Sequence, residues 1–484
     1  MAAAPVLSVS TGALVGVRTE GIDRYLGIPY AAPPFGDRRF QPPQPPAAWE
    51  GERDATAFGA TAPQRPYRGG TEKYLSTVEV AGDDILTLNV WTPADRDPAA
   101  ALPVLVFVHG GALTRGSAAL AGYDGVSFAE HGIVYVSIQY RIGQEGFAVL
   151  DHVPQNLGVL DQQAALRWVR REIGAFGGDP SRVTAMGHSA GANTLTALLA
   201  LPHAADLFDQ AILQSGPLEA QPPKKAGRMT REIARRLGVP PTREGFTAVA
   251  PAALAEEQTV IAASSSRPGS GRSVVLAIGG DAVPQNPFEA LLAGAGRGIP
   301  VLIGTTSEEY RLWLVPSGVV DSIRWPAVTV ALLASRVPRR IARAHRDRRP
   351  SATPGEVFGE VFSDVLLRGP VTRFADSRID APAPTYVYEF RWRSPVDRLG
   401  AAHGMELGFV FDNLGNPDAV ALGGEDAPTD LATAMHRAWV GFIVDGDPGW
   451  EAWSAKRPVQ AFDADGGHID YAPRADELAG LPEG

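Results

Sequence analysis

The sequence contains no cysteine among its 484 residues. This absence excludes disulfide bonds, thiolate nucleophiles and cysteine-ligated metals. No apolar run approaches the roughly 18 residues that a membrane-spanning helix needs, and residues 1–17 lack the basic start of a secretion signal. The formal net charge is −10, which disfavours nucleic acid as a partner because phosphate binding needs clustered cations. We therefore expect a cytoplasmic protein that binds neither nucleic acid nor a membrane.

Glycine and proline are abundant, with 53 and 41 residues, which indicates many turns and loops. Short apolar runs at 104–108, 133–138 and 183–186 predict buried strands. Between Asp161 and Phe176, apolar residues recur at steps of three and four, which is typical of a helix. Strands that alternate with helices predict an α/β fold with a mostly parallel central sheet.

We expect one domain over residues 1–484, because α/β architectures often exceed the usual length of a domain. Two stretches, 218–272 and 311–350, are expected to be variable excursions around the pocket. Within the first stretch, residues 262–271 are rich in serine and glycine, which predicts a mobile loop. Within the second, residues 336–349 contain seven arginines, which predicts a solvated helix face.

The sharpest motif is G-H-S-A-G at residues 187–191. It follows the predicted strand 183–186 and precedes a helix-forming run at 192–201, which is the setting of a nucleophile elbow. In such an elbow a strained turn exposes the serine, here Ser189, and the glycines at its ends avoid collisions across the turn. The pattern alone is common by chance, but the strand before it and the helix after it favour the elbow.

A second motif, H-G-G-A at residues 109–112, follows the strand 104–108 directly. A loop at the end of a sheet strand can bring backbone N–H groups to a substrate carbonyl, and small residues permit that approach. Alone it could be a bare turn. Beside the elbow, it predicts the second part of an oxyanion hole.

With these features in place, the chain resembles the type-B carboxylesterases, the α/β-hydrolase family that includes bacterial para-nitrobenzyl esterases and the cholinesterases. Matching motifs run in order along nearly the whole chain. They are GIPYAAPP at 27–34, DDILTLNVWTP at 83–93, YR at 140–141, NLGVLDQ at 156–162, FGGDP at 176–180, AILQSG at 211–216, AHGMEL at 402–407 and GDP at 446–448. The resemblance implies an α/β-hydrolase fold with helical excursions over the active site.

The resemblance also implies a catalytic triad in the order serine, acid, histidine. Ser189 takes the nucleophile position, and His403 takes the position of the base. The acid of the family ends a G-T-x-x-x-E-G stretch, which places Glu309 in that role. Tyr310 stands where the family has glycine, so Glu308 remains an alternative acid.

The chemistry of this assignment is that of a serine esterase. A serine hydroxyl is a poor nucleophile until a histidine takes its proton, and a carboxylate fixes the tautomer of that histidine. The resemblance implies that N–H groups of Gly111, Ala112 and Ala190 hold the oxyanion, with Gly110 shaping the loop. Such a reaction needs neither a metal nor an organic cofactor.

His188 stands where the family usually has glutamate, and in the cholinesterases that glutamate favours cationic substrates. We therefore expect a small-molecule ester that is neutral and hydrophobic. His188, Leu113, Trp313, Leu314 and Phe409 are candidate pocket residues, although each of the four apolar side chains also fits an ordinary core.

Several alternatives stay open at this point. The same triad could hydrolyse amides or carbamates, whose poorer leaving groups need more protonation. A non-catalytic binding module of the cholinesterase type is disfavoured, because all three triad residues are present. The spacing of His403 and Glu406 could suggest metal ligands, but no second such pair is present. A monomer or a weak homodimer is expected.

Overall fold

A computed structural model of the chain describes residues 4–96, 101–263 and 273–481. The chain divides into two compact units. Unit 1 contains the described residues of 1–66, 77–212 and 219–299, and unit 2 contains those of 67–76, 213–218 and 300–484.

Unit 1 contains two groups of strands. Its described strands are β1 (Val6–Val9), β2 (Gly12–Val15), β3 (Val17–Thr19), β4 (Ile22–Pro29), β5 (Glu52–Asp54), β6 (Thr87–Pro93), β7 (Leu102–Val108), β8 (Val134–Ile138) and β9 (Gly178–His188). A further strand, β10 (Gln210–Gln214), leads along the chain from unit 1 into unit 2. Strands β1, β2 and β5 form a small separate sheet.

The larger group in unit 1 is built around β7. This strand lies parallel to β8 and to β9, whereas β6 pairs antiparallel with β8 and β4 pairs antiparallel with β6 and β3. Residues of β7 and β8 are buried on both faces, which accounts for their continuous apolar sequence. The three strands predicted from apolar runs are confirmed.

The helices of unit 1 connect and cover these strands. The described ones are α1 (Val126–Glu130), α2 (Gly143–Phe147), α3 (Leu157–Glu172), α4 (Ala190–Leu199), α5 (Pro223–Ala226), α6 (Arg228–Leu237), α7 (Arg243–Thr247), α8 (Pro251–Ala263) and α9 (Pro287–Leu292). The predicted helix between Asp161 and Phe176 is α3, extended by a 3₁₀ turn at Ile173–Phe176. Gly177 then ends it with a φ of 81°, a conformation that glycine adopts without strain.

A buried ion pair explains two residues of the sequence motifs in unit 1. Arg141 follows β8 and Asp161 lies on α3, and both residues are buried. The Arg141 Nη2 atom is 2.6 Å from Asp161 Oδ1. The Asp161 carboxylate also accepts a hydrogen bond from the Arg141 backbone N–H. The pair therefore fixes the end of β8 to α3.

Unit 2 has a second parallel arrangement. Its described strands are β11 (Val301–Thr306), β12 (Thr385–Phe390), β13 (Pro458–Asp463) and β14 (Gly466–Tyr471). β11, β12 and β13 are parallel neighbours, and β14 returns antiparallel to β13. In both units, parallel strands covered by helices confirm the predicted α/β class.

The helices of unit 2 follow in chain order. The described ones are α10 (Arg311–Leu314), α11 (Val319–Ser322), α12 (Trp325–Ala334), α13 (Arg339–Arg348), α14 (Pro354–Ser363), α15 (Gly369–Asp376), α16 (Leu407–Val410), α17 (Pro417–Gly423), α18 (Thr429–Asp445) and α19 (Ala475–Leu478). A π-helical turn at Asp364–Arg368 joins α14 to α15.

The arginine-rich run, the loop at 262–271 and the absence of a membrane-spanning segment were also predicted from the sequence. The arginine-rich run forms α13, and most of its arginines are exposed as predicted. Of the predicted mobile loop, Ala262 and Ala263 end α8, and the rest lies outside the described residues. No helix in the described parts of the chain combines the length and apolarity that crossing a bilayer requires.

Candidate active site

Ser189 lies between the last residue of β9 and the first residue of α4, as the elbow motif predicts. Its backbone has φ 55° and ψ −119°, a combination that L-residues seldom adopt. Such strain persists where the surrounding structure imposes it, and it is concentrated at functional sites.

The two glycines of the elbow allow the close packing that imposes this turn. A Cβ atom on Gly187 would lie 2.6 Å from the carbonyl carbon of Gly191. A Cβ atom on Gly191 would collide with the carbonyl oxygen of Val108 and lie 2.8 Å from that of His109. Real Cβ atoms do not approach so closely, so the start of α4 can pack against the end of β7 only with glycine at these positions.

The loop after β7 lies against the elbow. A Cβ atom on Gly110 would be 2.9 Å from the His188 carbonyl oxygen and 3.0 Å from the Ser189 Cβ atom. Gly111, Ala112 and Leu113 then take positive φ values of 114°, 55° and 60°. The loop predicted to supply oxyanion donors and the predicted nucleophile are therefore neighbours within unit 1.

His109 anchors this loop. Its buried ring stacks on Tyr140 with ring centroids 4.5 Å apart, and its Nδ1–H donates to the Gly110 carbonyl at 2.8 Å. The Tyr140 hydroxyl donates to the His109 carbonyl at 2.8 Å. Burial lowers the pKa of His109 to about 4, so the ring is neutral near pH 7. Sequence reasoning noted both residues in motifs but missed this contact between them.

Glu309 and His403 form a buried pair in unit 2. The Glu309 Oε2 atom lies 2.5 Å from His403 Nδ1, although 94 residues separate the two in sequence. The other oxygen, Oε1, accepts a hydrogen bond from the Thr306 backbone N–H at 2.8 Å. Each oxygen of the Glu309 carboxylate therefore accepts one hydrogen bond, and the bond to Nδ1 orients the His403 imidazole.

Glu308, the alternative acid, has different partners. Its carboxylate lies 2.7 Å from Arg311 Nε and 3.2 Å from Arg393 Nε, and it also accepts from the Ala401 backbone N–H. Tyr310, at the position of the family's glycine, has φ −60° and ψ −22°. This ordinary helical conformation needs no glycine, so the substitution leaves Glu309 in contact with His403.

A second buried carboxyl group lies near this pair. Glu406 is fully buried and accepts a hydrogen bond from the Ser215 hydroxyl at 3.4 Å. Burial, followed by repulsion from Glu309, raises the pKa of Glu406 to about 8. Glu406 is thus protonated near pH 7. Both residues stood in sequence motifs, but nothing in the sequence indicated that they meet across 191 residues.

The predicted pocket residues occupy different surroundings. Trp313 is 40% exposed, and its ring centroid lies 4.6 Å from that of His403. Leu314 is half-buried, and the Leu113 side chain is buried in the loop after β7. Phe409 is buried with its ring against two other aromatic rings, those of Phe390 and Trp392, which is a core environment. His188 is buried beside Gly110.

One other cluster has the donor types of a metal site. His345, Asp364 and Glu477 are fully buried, with Nε2 of the histidine 2.9 Å from Asp364 and Nδ1 3.3 Å from Glu477. Each carboxylate also pairs with an arginine, Arg368 for Asp364 and Arg349 for Glu477. Because these arginines already neutralise the carboxylates, the cluster serves as an ion network that links α13, α19 and the π-helical turn.

Comparison with known proteins gives consistent matches over nearly the full length. The chain matches the model of the carboxylesterase family over residues 3–462. It is 34% identical over 468 residues to the para-nitrobenzyl esterase of Bacillus subtilis (strain 168), covering 93% of this chain and 92% of that protein. It is also 34% identical over 460 residues to the phenmedipham hydrolase of Pseudarthrobacter oxydans, covering 92% of this chain and 90% of that protein.

The solved structures agree. A carboxylesterase of Geobacillus stearothermophilus superposes with a TM-score of 0.87 and 34% identity, covering 99% of this chain and all of that one. Such neighbours have the α/β-hydrolase fold, which confirms the fold expected from the sequence motifs.

Proposed function

The chain belongs to the carboxylesterase family and hydrolyses carboxylic esters, and we propose that Ser189, His403 and Glu309 perform this reaction through an acyl-enzyme intermediate. The observation that carries the proposal is the buried pair of His403 and Glu309 at 2.5 Å. The strained backbone of Ser189 at the junction of β9 and α4 supports it independently.

His403 acts as the base through Nε2. Because Nδ1–H donates to Glu309, the neutral imidazole carries its single proton on Nδ1, and the unprotonated Nε2 is the nitrogen that accepts a proton. Ser189 Oγ attacks the ester carbonyl while its proton passes to Nε2. The negative charge of Glu309 then stabilises the imidazolium.

Backbone N–H groups stabilise the oxyanion of the tetrahedral intermediate. Gly111 and Ala112 supply donors from the loop after β7, and Ala190 supplies one from the N-terminus of α4, where the helix dipole adds positive potential. Gly110 provides the space in which this loop lies against Ser189. Anchoring by His109 and Tyr140 keeps the donors in place before substrate arrives.

Collapse of the intermediate requires a proton on the departing alcohol, which His403 donates from Nε2. The acyl group then remains on Ser189 until a water molecule, deprotonated by the same nitrogen, releases the carboxylic acid. One cycle converts one ester and one water molecule into a carboxylic acid and an alcohol, restores Ser189 and His403, and calls for no cofactor.

The substrate is a neutral, hydrophobic small-molecule ester. A buried histidine, His188, precedes the nucleophile and supplies none of the negative charge that a glutamate would offer to a cationic substrate. Trp313, partly exposed beside His403, supplies an apolar wall for the alcohol or acyl group. Its ring is large and rigid, which suits it to bind apolar groups.

The family model spans residues of both compact units, which supports our proposal of a single domain over residues 1–484. The stretches 218–272 and 311–350 remain the expected excursions around the pocket. A cytoplasmic location and a monomer or weak homodimer also remain predictions.

Stopped-flow hydrolysis of a p-nitrophenyl ester tests the proposed intermediate. When deacylation limits turnover, the wild-type protein should release one equivalent of p-nitrophenol per active site in a burst before the steady state. Ser189→Ala should abolish the burst and the turnover, whereas the control Ser181→Ala, on the exposed part of β9, should retain both. A burst that survives in Ser189→Ala would show that another residue is acylated.

A further inference from the structure

Helix α12 leaves an apolar face in water. Its ten residues include no charged side chain, and Thr329 is its one polar residue. A helix that is apolar on all sides is usually buried on all sides. Here Val328 and Leu332 are buried, whereas Val330 is 67% exposed and Leu333 is 59% exposed.

The orientation of α12 is fixed by its inner face. Val328 and Leu332 pack in a core cluster with Ile341 of α13 and with Val357 and Val361 of α14. Val330 and Leu333 are neither in this cluster nor packed against it. The packing of α12 therefore explains why these two positions face water. It does not explain why they hold apolar residues.

The helix that follows α12 carries a row of exposed arginines. Arg339, Arg343 and Arg346 follow one another at helical spacing on the exposed side of α13. The guanidinium of Arg346 lies 4.6 Å from the ring centroid of Trp325, the first residue of α12. This contact joins the basic side of α13 to the start of α12, and residues of both helices pack in the same core cluster, so the two helices are neighbours.

Three arginines of α13 form no ion pair within the described parts of the chain. No carboxylate there forms an ion pair with Arg339, Arg343 or Arg346, whereas Arg348 at the end of α13 pairs with Asp476. Residues 324–349 contain eight arginines and a single acidic residue, Asp347, and only Arg348 and Arg349 of these arginines pair with acidic residues of α19 in the described parts of the chain. The formal net charge of the whole chain is −10. This stretch is therefore a local positive region on an acidic protein.

We propose that α12 and α13 form a docking face for an anionic lipid surface. Val330 and Leu333 enter the boundary between headgroups and acyl chains, and the arginines contact lipid phosphates. Exposed apolar side chains on one helix and cations without ion pairs on its neighbour are the combination that such a surface attracts. The expectation of no membrane partner rested on the lack of a spanning run, and binding in the plane of a membrane needs none.

A second copy of the chain fits this face less well. A two-fold contact would place the same surface on both partners and bring two rows of arginines together without carboxylates between them. Like charges opposed in this way weaken an interface. The docking proposal concerns binding and holds whether or not Ser189 is the nucleophile.

Co-sedimentation with vesicles tests the proposal on the full-length protein. The protein should bind vesicles of phosphatidylcholine that contain phosphatidylserine, and it should bind vesicles of phosphatidylcholine alone more weakly. Its affinity for the anionic vesicles should fall as salt is added. Val330→Ser/Leu333→Ser should weaken binding by about tenfold or more. Arg339→Gln/Arg343→Gln should weaken it by about 30-fold.

Matched controls separate the proposed face from general charge and apolarity. Arg228→Gln/Arg437→Gln removes two exposed arginines from other helices, and Val6→Ser removes an exposed apolar residue from β1. Both should bind like wild type, and all variants should hydrolyse a water-soluble p-nitrophenyl ester normally. Equal binding to the two vesicle types overturns the proposal, as does equal binding by wild type and the α12 variant. A dimer that Val330→Ser/Leu333→Ser dissolves would overturn it in favour of a second copy.

Discussion

Replacing Glu309 by glutamine tests the hydrogen bond to His403 with almost no change of shape. In the wild-type protein, the Thr306 N–H donates to one oxygen of Glu309, and His403 Nδ1–H donates to the other. In Glu309→Gln the amide oxygen must face the Thr306 N–H, because an amide NH₂ cannot accept a hydrogen bond. The NH₂ group then points at His403 Nδ1 and turns that nitrogen into an acceptor.

This change of Nδ1 from donor to acceptor prevents His403 from acting as the base. With Nδ1 as acceptor, the single proton of the neutral imidazole moves to Nε2, where the proposed mechanism needs a lone pair. Loss of the acid's charge also leaves the imidazolium without its partner. We expect kcat to fall by about 10⁴-fold, the scale of a triad with the wrong tautomer. KM should change little, since neither effect involves substrate binding.

Initial rates with a p-nitrophenyl ester at saturating substrate measure this effect. Glu308→Gln is the matched control, because the adjacent side chain loses the same charge but lies against Arg311 and Arg393. Its thermal midpoint should fall, whereas its kcat should stay within a few-fold of wild type. If Glu308→Gln lost more activity than Glu309→Gln, the assignment of the acid would be refuted.

Three further predictions follow from named contacts. Gly110→Ala places a Cβ atom 2.9 Å from the His188 carbonyl oxygen, so kcat should fall about 100-fold as the loop shifts. Gly174→Ala, which has no neighbouring atom to meet, should leave kcat unchanged. Because folding raises the pKa of Glu406 from 4.5 to about 8, the native protein retains a proton that the unfolded chain releases. The free energy of unfolding should therefore fall as pH rises from 4.5 towards 8, by up to about 1.4 kcal/mol per pH unit, and urea titrations of Glu406→Gln should show a smaller slope. The wild-type protein should hydrolyse a neutral thioester, matched in size to acetylthiocholine, with a higher kcat/KM than acetylthiocholine itself. The ratio of the two kcat/KM values should be smaller in His188→Glu. A preference for acetylthiocholine in wild type would contradict the role given to His188.

The features that the sequence predicted best are the strands and turns that depend on residues close together in the chain. The strands 104–108 and 183–186 were visible as apolar runs, and the elbow at Ser189 as glycines at fixed offsets. Each of these signals depends on neighbours a few residues away. The loop after β7 was predicted for the same reason, although the stacking of His109 on Tyr140 was not.

Pairings across long separations were not visible in the residues alone. The choice between Glu308 and Glu309 depends on which carboxylate the turn after β11 directs toward His403, and sequence motifs left both open. The raised pKa of Glu406 depends on complete burial near Glu309, which no local pattern encodes. The exposed face of α12 was also unforeseen, because an apolar run by itself predicts a buried helix.

Covalent labelling with a fluorophosphonate, followed by peptide mapping, tests the central claim most directly. The probe reacts with a serine hydroxyl that a neighbouring base has activated, so it reports the activated nucleophile rather than overall turnover. The label is expected on Ser189 in the wild-type protein, and labelling should be lost in Ser189→Ala and strongly slowed in His403→Ala. Label on a different serine, or equal labelling rates with and without His403, would contradict the account.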